Sequence, residues 1–211
     1  MNSKESDIHL LAGDLVVITK AKGVISTLLG SCVSIIFHVP DRLTMACHAL
    51  LPESRSTKQI CGVNCPKPCG DLRKTLSEFR FVSCSLKYMV NELQSRHIHP
   101  SQVHVSLIGG ANVLDINSDI TIGSQNIKIA KEILLSNGFT IRREHTGGMN
   151  GCNVQFYPET NSLMIRVHGG GKLFELGDNY VPVINSLPST KEDNFKRLSE
   201  ELDKMRKHFT K

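Results

Sequence analysis

Two residues in the first quarter of the chain are of the types that nucleophilic chemistry needs. Cys32 follows a Gly30-Ser31 step in "STLLGSCVSI", and His48 lies sixteen residues further on in "ACHALLPES". A thiol becomes an effective nucleophile when its pKa falls from about 8.5, or when a base stands within hydrogen-bond reach. Gly30 and Ser31 let the backbone turn tightly, which would present the Cys32 sulfur and leave nearby N–H groups to hold a developing oxyanion. Cysteine is also among the most buried residue types, and a Cys and a His at this separation arise readily by chance. Spacing alone therefore leaves two readings open: a thiol with its base, or a core with a few soft side chains.

A second cluster is Cys61, Cys65 and Cys69 in "CGVNCPKPCGD". C-x3-C-x3-C misses the C-x2-C spacing of common zinc sites. Pro66 and Pro68 oppose the helix that would bring all three onto one face. The segment reads as a metal loop completed by Cys84 or a histidine, as a redox-sensitive surface loop, or as a loop with no special role. These three are weak metal candidates, and the expectation is that no metal or organic cofactor is required. Cys47 and Cys84 read as core.

The elements that must position these residues follow from hydrophobic patterning. "DLVVITK", "CVSIIFH" and "LTMACHAL" read as strands, the last two joined as a hairpin by the turn in "VPDR". Residues 53–71 change to a polar Gly/Pro/Cys loop. Val82, Leu86, Met89, Val90 and Leu93 then recur at helical spacing, and Ile127, Ala130, Ile133 and Leu134 do so again, with Gly138 suited to the C-terminal cap of that helix. "VHVSLIGGAN", "TIRREH", "CNVQFY" and "SLMIRVH" read as further strands. The glycines of "TGGMNG" form either a hairpin turn or one wall of an active site.

This order predicts an α/β fold with a single domain, mixed and largely antiparallel β layers, two main helices on the sheet and a C-terminal helix. The domain is expected over residues 1–180, with 53–71 as an insertion and 181–211 as a charged amphipathic tail. In that tail Phe195, Leu198, Leu202, Met205 and Phe209 form a short apolar seam, which either packs on its own domain or binds a partner.

Composition narrows the function classes. An apolar fraction of 40% and a charged fraction of 21% fit a globular protein, and no run approaches the roughly 18 apolar residues of a spanning helix, so no membrane insertion is expected. The start "MNSKESDIHLLAGD" lacks the features of a signal peptide, which predicts a cytoplasmic protein with mostly reduced thiols. The net charge of +5 is not gathered into a stripe with aromatics, which make up 5% of the chain; no nucleic-acid partner is expected.

"STLLGSCVSI", "ACHALLPES", "IGGANVL", "IGSQNIKIAKEILLSNGF" and "HTGGMNGCNVQFYPETN", in this order, resemble the CheD family of chemoreceptor glutamine deamidases from about Leu10 to Val167. The resemblance implies a Cys-His-Thr hydrolase that converts glutamine side chains of methyl-accepting chemotaxis receptors to glutamate and releases ammonia. It places the nucleophile on Cys32 and the general base and acid on His48. The orienting hydroxyl falls on Ser26 by gapless alignment and on Thr27 by residue identity; adjacent strand residues face opposite sides, so only one can serve. Gly30, Ser31, Gly147 and Gly148 are the implied substrate-binding positions. The chain departs from the family where Cys152 replaces a basic residue and His145 an aspartate. The implied partners are the receptors and a CheC-type phosphatase, and the alternative function is a weakly catalytic or non-catalytic adaptor binding both.

Overall fold

The structure, a computed structural model, describes residues 7–19, 23–53, 79–113 and 121–178. In chain order these form β1 (Ile8–His9), β2 (Leu15–Ile18), β3 (Ile25–Leu29), β4 (Val33–Val39), β5 (Leu43–Ala49), α1 (Val82–Ser95), a short 3-10 turn (Pro100–Gln102), β6 (His104–Gly109), α2 (Ile122–Ser136), β7 (Ile141–Thr146), β8 (Cys152–Tyr157), β9 (Ser162–Val167) and β10 (Leu173–Glu175). The strands make two five-stranded sheets, ordered β1-β3-β8-β9-β10 and β2-β5-β4-β6-β7. The β1–β3 and β6–β7 pairings are parallel, and the other six are antiparallel.

Side-chain alternation stacks these elements in three layers. Ile36, Ala46 and Ile108 of the second sheet pack against Leu29, Val154, Phe156 and Ile165 of the first. On its other face, Ile35, Phe37, Met45 and Leu107 meet Leu86, Met89 and Leu93 of α1 and Ala130 and Leu134 of α2. The helical seams legible in the sequence are thus the faces that cover the second sheet. β4 and β5 are buried at all seven positions each. Their polar residues Ser34, His38, Thr44 and His48 cannot face water, so each needs a partner inside the protein.

Local signals fix the ends of α2. The Ser124 N–H donates to Thr121 Oγ1 at 3.1 Å and the Thr121 N–H donates to Ser124 Oγ at 3.0 Å, a reciprocal cap. Gly138 follows the helix with φ 78°, and the Phe139 N–H closes back onto the Leu134 carbonyl at 3.0 Å.

The hairpin reading of the "TGGMNG" glycines is corrected. β7 lies beside β6 in the second sheet, and β8 lies beside β3 in the first. The chain crosses between layers at Gly147–Gly151, because β7 takes the parallel position that follows α2 while Val154 and Phe156 of β8 must face the inter-sheet core. β1, β3 and β10 were not separated in the sequence. The Cys61, Cys65 and Cys69 loop and the Phe195–Phe209 seam lie outside the described residues. Among the described residues no helix is long and apolar enough to cross a membrane.

Candidate active site

β3 carries Thr27 into the layer between the sheets, between the buried Ile25 and Leu29, and Thr27 is itself buried. Its Oγ1 donates to the Leu10 carbonyl at 2.9 Å and lies 2.8 Å from His48 Nδ1. A hydroxyl has one proton, and the Leu10 carbonyl can only accept. With that proton given to Leu10, Thr27 Oγ1 is the acceptor for His48, so Nδ1 carries the ring proton. The lone pair of the neutral imidazole is then on Nε2, which makes Nε2 the basic atom. The Leu10 carbonyl, 3.5 Å from Nδ1, favours the same tautomer.

Ser26 faces the other way, as adjacent strand residues must. Its Oγ lies 3.1 Å from His9 Nδ1 and donates at 3.4 Å to the Ile8 carbonyl. It lines an outer-face groove with His9, Asn153, Gln155 and Arg166. The two hydroxyls that the sequence left as alternatives are therefore separated by the sheet, and Thr27 is the one at the imidazole.

The His48 backbone is held on both sides. Its N–H donates to the Asp14 carbonyl at 2.9 Å, and its carbonyl accepts from the Gly13 N–H at 2.8 Å. The Asp14 carboxylate accepts from the Leu11 N–H at 2.8 Å, which closes the turn that presents the Leu10 carbonyl. Neither Leu10 nor Asp14 is legible as a site residue from sequence, because both act mainly through backbone geometry.

Cys32 immediately precedes β4. Ser34 is directly opposite His48 in the β4–β5 ladder, and Val33 is opposite Ala49. Cys32 packs on the inter-sheet core, the side that Ile36 and Ala46 also face. Carried one residue beyond β4, this register sets Cys32 diagonal to His48, a relation that in a regular ladder places Cα atoms about 7–8 Å apart. Of the four described cysteines, Cys32 is half-buried and Cys47, Cys84 and Cys152 are buried. Burial pushes the Cys47 thiol up to about 11 and the Cys152 thiol up to about 12. Burial also raises the Cys32 thiol, opposed by its own backbone N–H. It lowers His48, with His9 acting in the same direction and the Leu10 carbonyl and Asp14 opposing. Both directions favour a neutral thiol and a neutral imidazole at rest.

The rim comes from three loops tied to one another. The Gly110 N–H donates to the Cys32 carbonyl at 2.7 Å, and the Ala111 N–H donates to the Gly30 carbonyl at 2.9 Å. The Gly147 N–H donates to the Gly109 carbonyl at 2.9 Å, and the Asn112 N–H donates to the Gly148 carbonyl at 2.8 Å. Gly30, Ser31, Gly147 and Gly148 thus lie at one end of the sandwich, the end that carries Cys32. A further residue there was missed: Asn126 of α2, which is fully buried and donates to the Ser31 and Leu50 carbonyls. Its signal was a polar residue on the apolar stripe, four residues before Ala130. Among the described residues, no group of three or more His, Cys, Asp or Glu side chains could hold a metal ion.

The chain matches the family model for CheD, chemotactic sensory transduction, over residues 66–179. It belongs to the CheD family. It is 32% identical over 161 residues to "Probable chemoreceptor glutamine deamidase CheD 2" of Geobacter sulfurreducens, covering 75% of this chain and 88% of that protein. It is 30% identical over 168 residues to "Probable chemoreceptor glutamine deamidase CheD" of Oleidesulfovibrio alaskensis, covering 76% and 72%. To "Chemoreceptor glutamine deamidase CheD" of Thermotoga maritima it is 27% identical over 161 residues, covering 75% and 91%. Asn126, Gly147 and Gly148 of this CheD-family chain fall inside the model's matched span, whereas Thr27, Cys32 and His48 precede it.

Proposed function

We propose that this CheD-family protein is a chemoreceptor glutamine deamidase, with Cys32 as nucleophile, His48 as general base and acid, and Thr27 as the hydroxyl that orients His48. The observation that carries this reading is the Leu10–Thr27–His48 chain, which commits Nδ1 as a donor and leaves Nε2 as the base. The names of its relatives supply the substrate class, glutamine side chains on chemoreceptors.

In the first half-reaction, His48 Nε2 takes the Cys32 proton as Sγ attacks the carboxamide carbon, and the carbonyl oxygen becomes an oxyanion. Collapse breaks the C–N bond, the imidazolium gives its proton to the departing nitrogen, and ammonia leaves a thioester. Water then attacks the thioester with His48 as base, the C–S bond breaks, and the imidazolium returns a proton to sulfur. The balance is one amide and one water consumed, one carboxylic acid and one ammonia formed.

The working assembly is a cytoplasmic protein whose partners are chemoreceptors, with a CheC-type phosphatase as a second binding partner. Its domain covers residues 1–180, and 53–71 and 181–211 are accessory segments. The deciding experiment incubates the protein with cytoplasmic fragments of candidate chemoreceptors and follows amide-to-acid conversion by mass spectrometry. Conversion by the parent and none by Cys32→Ala is expected. Retained conversion by a folded Cys32→Ala protein would overturn the mechanism; receptor binding with no conversion by the parent would favour the adaptor.

A further inference from the structure

The segment before β4 has an unusual feature: three successive carbonyls are held by one scaffold. The Gly30 carbonyl accepts from the Ala111 N–H at 2.9 Å, and the Cys32 carbonyl accepts from the Gly110 N–H at 2.7 Å. Between them, the Ser31 carbonyl accepts from Asn126 Nδ2 at 2.9 Å. The second Asn126 bond, also 2.9 Å, goes to the Leu50 carbonyl, two residues past His48. Gly30 and Ser31 form a bend before β4, and the Ser31 carbonyl, between two carbonyls held by Gly110 and Ala111, goes to α2.

Two glycines allow α2 to come that close. A Cβ on Gly123 would lie 2.3 Å from the Gly110 carbonyl oxygen, and one on Gly110 (φ 72°) would lie 2.6 Å from Ile127 Cδ1. The first turns of the helix therefore sit directly on the loop backbone, and Asn126 occupies the buried stripe it shares with Ala130 and Leu134. Its Oδ1 is buried with no hydrogen-bond partner among the described residues. The amide is thus set by its two donated bonds, to the Ser31 and Leu50 carbonyls, and not by its oxygen.

We propose that Asn126 is a positioning residue that fixes the Ser31–Cys32 peptide, so that the Cys32 N–H faces the reacting sulfur, and that ties this peptide to the strand end carrying His48. In a trans peptide the N–H points opposite to its carbonyl, and no cis bond occurs among the described residues. With the Ser31 carbonyl drawn toward α2, the Cys32 N–H is turned away from α2. The interaction of this N–H with its own sulfur, which holds the thiol down against burial, agrees with that direction. The N–H is then a ready donor for the oxyanion that forms on the carbon bonded to Sγ. The inference rests on Cys32 being the nucleophile.

The test uses Asn126→Leu, and Asn126→Ser as a smaller replacement should the first not fold, with two readouts. The first is kcat and KM on cytoplasmic fragments of candidate chemoreceptors. Misaiming an oxyanion donor should lower kcat by about tenfold to a hundredfold, less than removing one outright, with KM held within about twofold. The second is the pH midpoint for alkylation of Cys32 by iodoacetamide, followed by peptide mass spectrometry; it should move up, because the N–H that favours the thiolate is no longer aimed at sulfur. A folded variant with parental kcat, a loss confined to KM, or an unmoved alkylation midpoint would overturn the proposal. Should the parent convert no receptor glutamine, the deamidase reading fails by itself, and the alkylation midpoint still decides whether Asn126 aims the Cys32 peptide.

Discussion

His38 on β4 and His48 on β5 occupy similar settings at opposite ends of the same inter-sheet layer. They are 4% and 6% exposed, and each sets Nδ1 against a threonine hydroxyl, at 2.9 Å from Thr44 Oγ1 and 2.8 Å from Thr27 Oγ1. Their surroundings differ. The Thr27 proton is committed to the Leu10 carbonyl, whereas Thr44 Oγ1 has no further partner among the described residues and leaves the His38 tautomer open. The His38 ring meets Phe156 at 5.4 Å and His104 at 6.1 Å between centroids. Burial first, then the positive charge of His104 and Arg143, lower His38 to about 4 against the opposing Asp41. At His48, the Leu10 carbonyl and Asp14 favour the imidazolium and moderate the effect of burial. A buried histidine with a threonine partner is thus not enough for a base. A fixed tautomer, groups that tolerate the charged ring, and a half-exposed thiol on the same face distinguish His48.

The largest expected effects test that distinction directly. Cys32→Ala and His48→Ala should each abolish receptor deamidation, and the double variant should lose no more, because the two act as one unit. His38→Gln should retain activity within about threefold, since substitutions away from the reacting groups act through stability alone. Mass spectrometry of receptor fragments reads all four. Loss of activity in a folded His38→Gln protein would mean that the two histidines are not functionally distinct.

A narrower comparison sets the hydroxyls against one another. Thr27→Val keeps the shape and removes the acceptor for Nδ1–H, so the rate should fall by about tenfold to a thousandfold, as when an imidazole loses its orienting group elsewhere. Ser26→Ala, on the far side of the sheet, and Thr44→Val, at the other histidine, should change the rate by no more than about twofold. Equal large losses for Thr27→Val and Ser26→Ala would contradict the opposite facing of adjacent strand residues.

These contrasts were partly legible in the sequence. The helical seams of α1 and α2 and seven of the strands follow from hydrophobic patterning, because apolar patterns are set by burial against a neighbouring layer. Cys32 and His48 stood out by residue type and motif, and the parity of adjacent strand residues required a choice between Ser26 and Thr27. The choice itself needed β3, a short strand whose pairing with β1 and β8 is tertiary. Leu10 contributes through its carbonyl, which any residue type can supply, and Asp14 through a carboxylate that only the fold brings to the Leu11 N–H and near His48. Asn126 is a polar residue on an apolar stripe, a signal visible in sequence, but its partners lie 95 and 76 residues away. The glycines of "TGGMNG" look the same in sequence whether they join paired strands or cross between sheets, so only the topology distinguishes the two.

The pH dependence of activity sharpens the comparison further. His48 must be neutral to accept the Cys32 proton, and burial places its pKa below the ordinary 6.5. The acid limb of kcat/KM should therefore lie below pH 6.5. Asp14 raises the His48 pKa, so Asp14→Asn should move the limb to still lower pH. A limb above 6.5 in the parent, or an upward shift in the variant, would contradict the electrostatics assigned to this end of the layer.

The smallest effect belongs to the other histidine and is read as stability. His38 has a folded pKa of about 4 against an ordinary 6.5, so between these values the unfolded chain binds a proton that the folded protein does not. The stability associated with neutral His38 is present in full above pH 6.5 and is lost as the pH falls toward 4. With a span of 2.5 pH units (6.5 − 4), the loss is at most on the order of 3 kcal/mol. Urea midpoints at neutral pH and near pH 4.5 should fall further for the parent than for His38→Gln, which has no ring to protonate. The difference between the two pH values is the quantity to compare, because His38→Gln also changes the contacts with Thr44 and Phe156 at every pH. An equal drop in parent and variant would show that His38 does not carry the acid sensitivity.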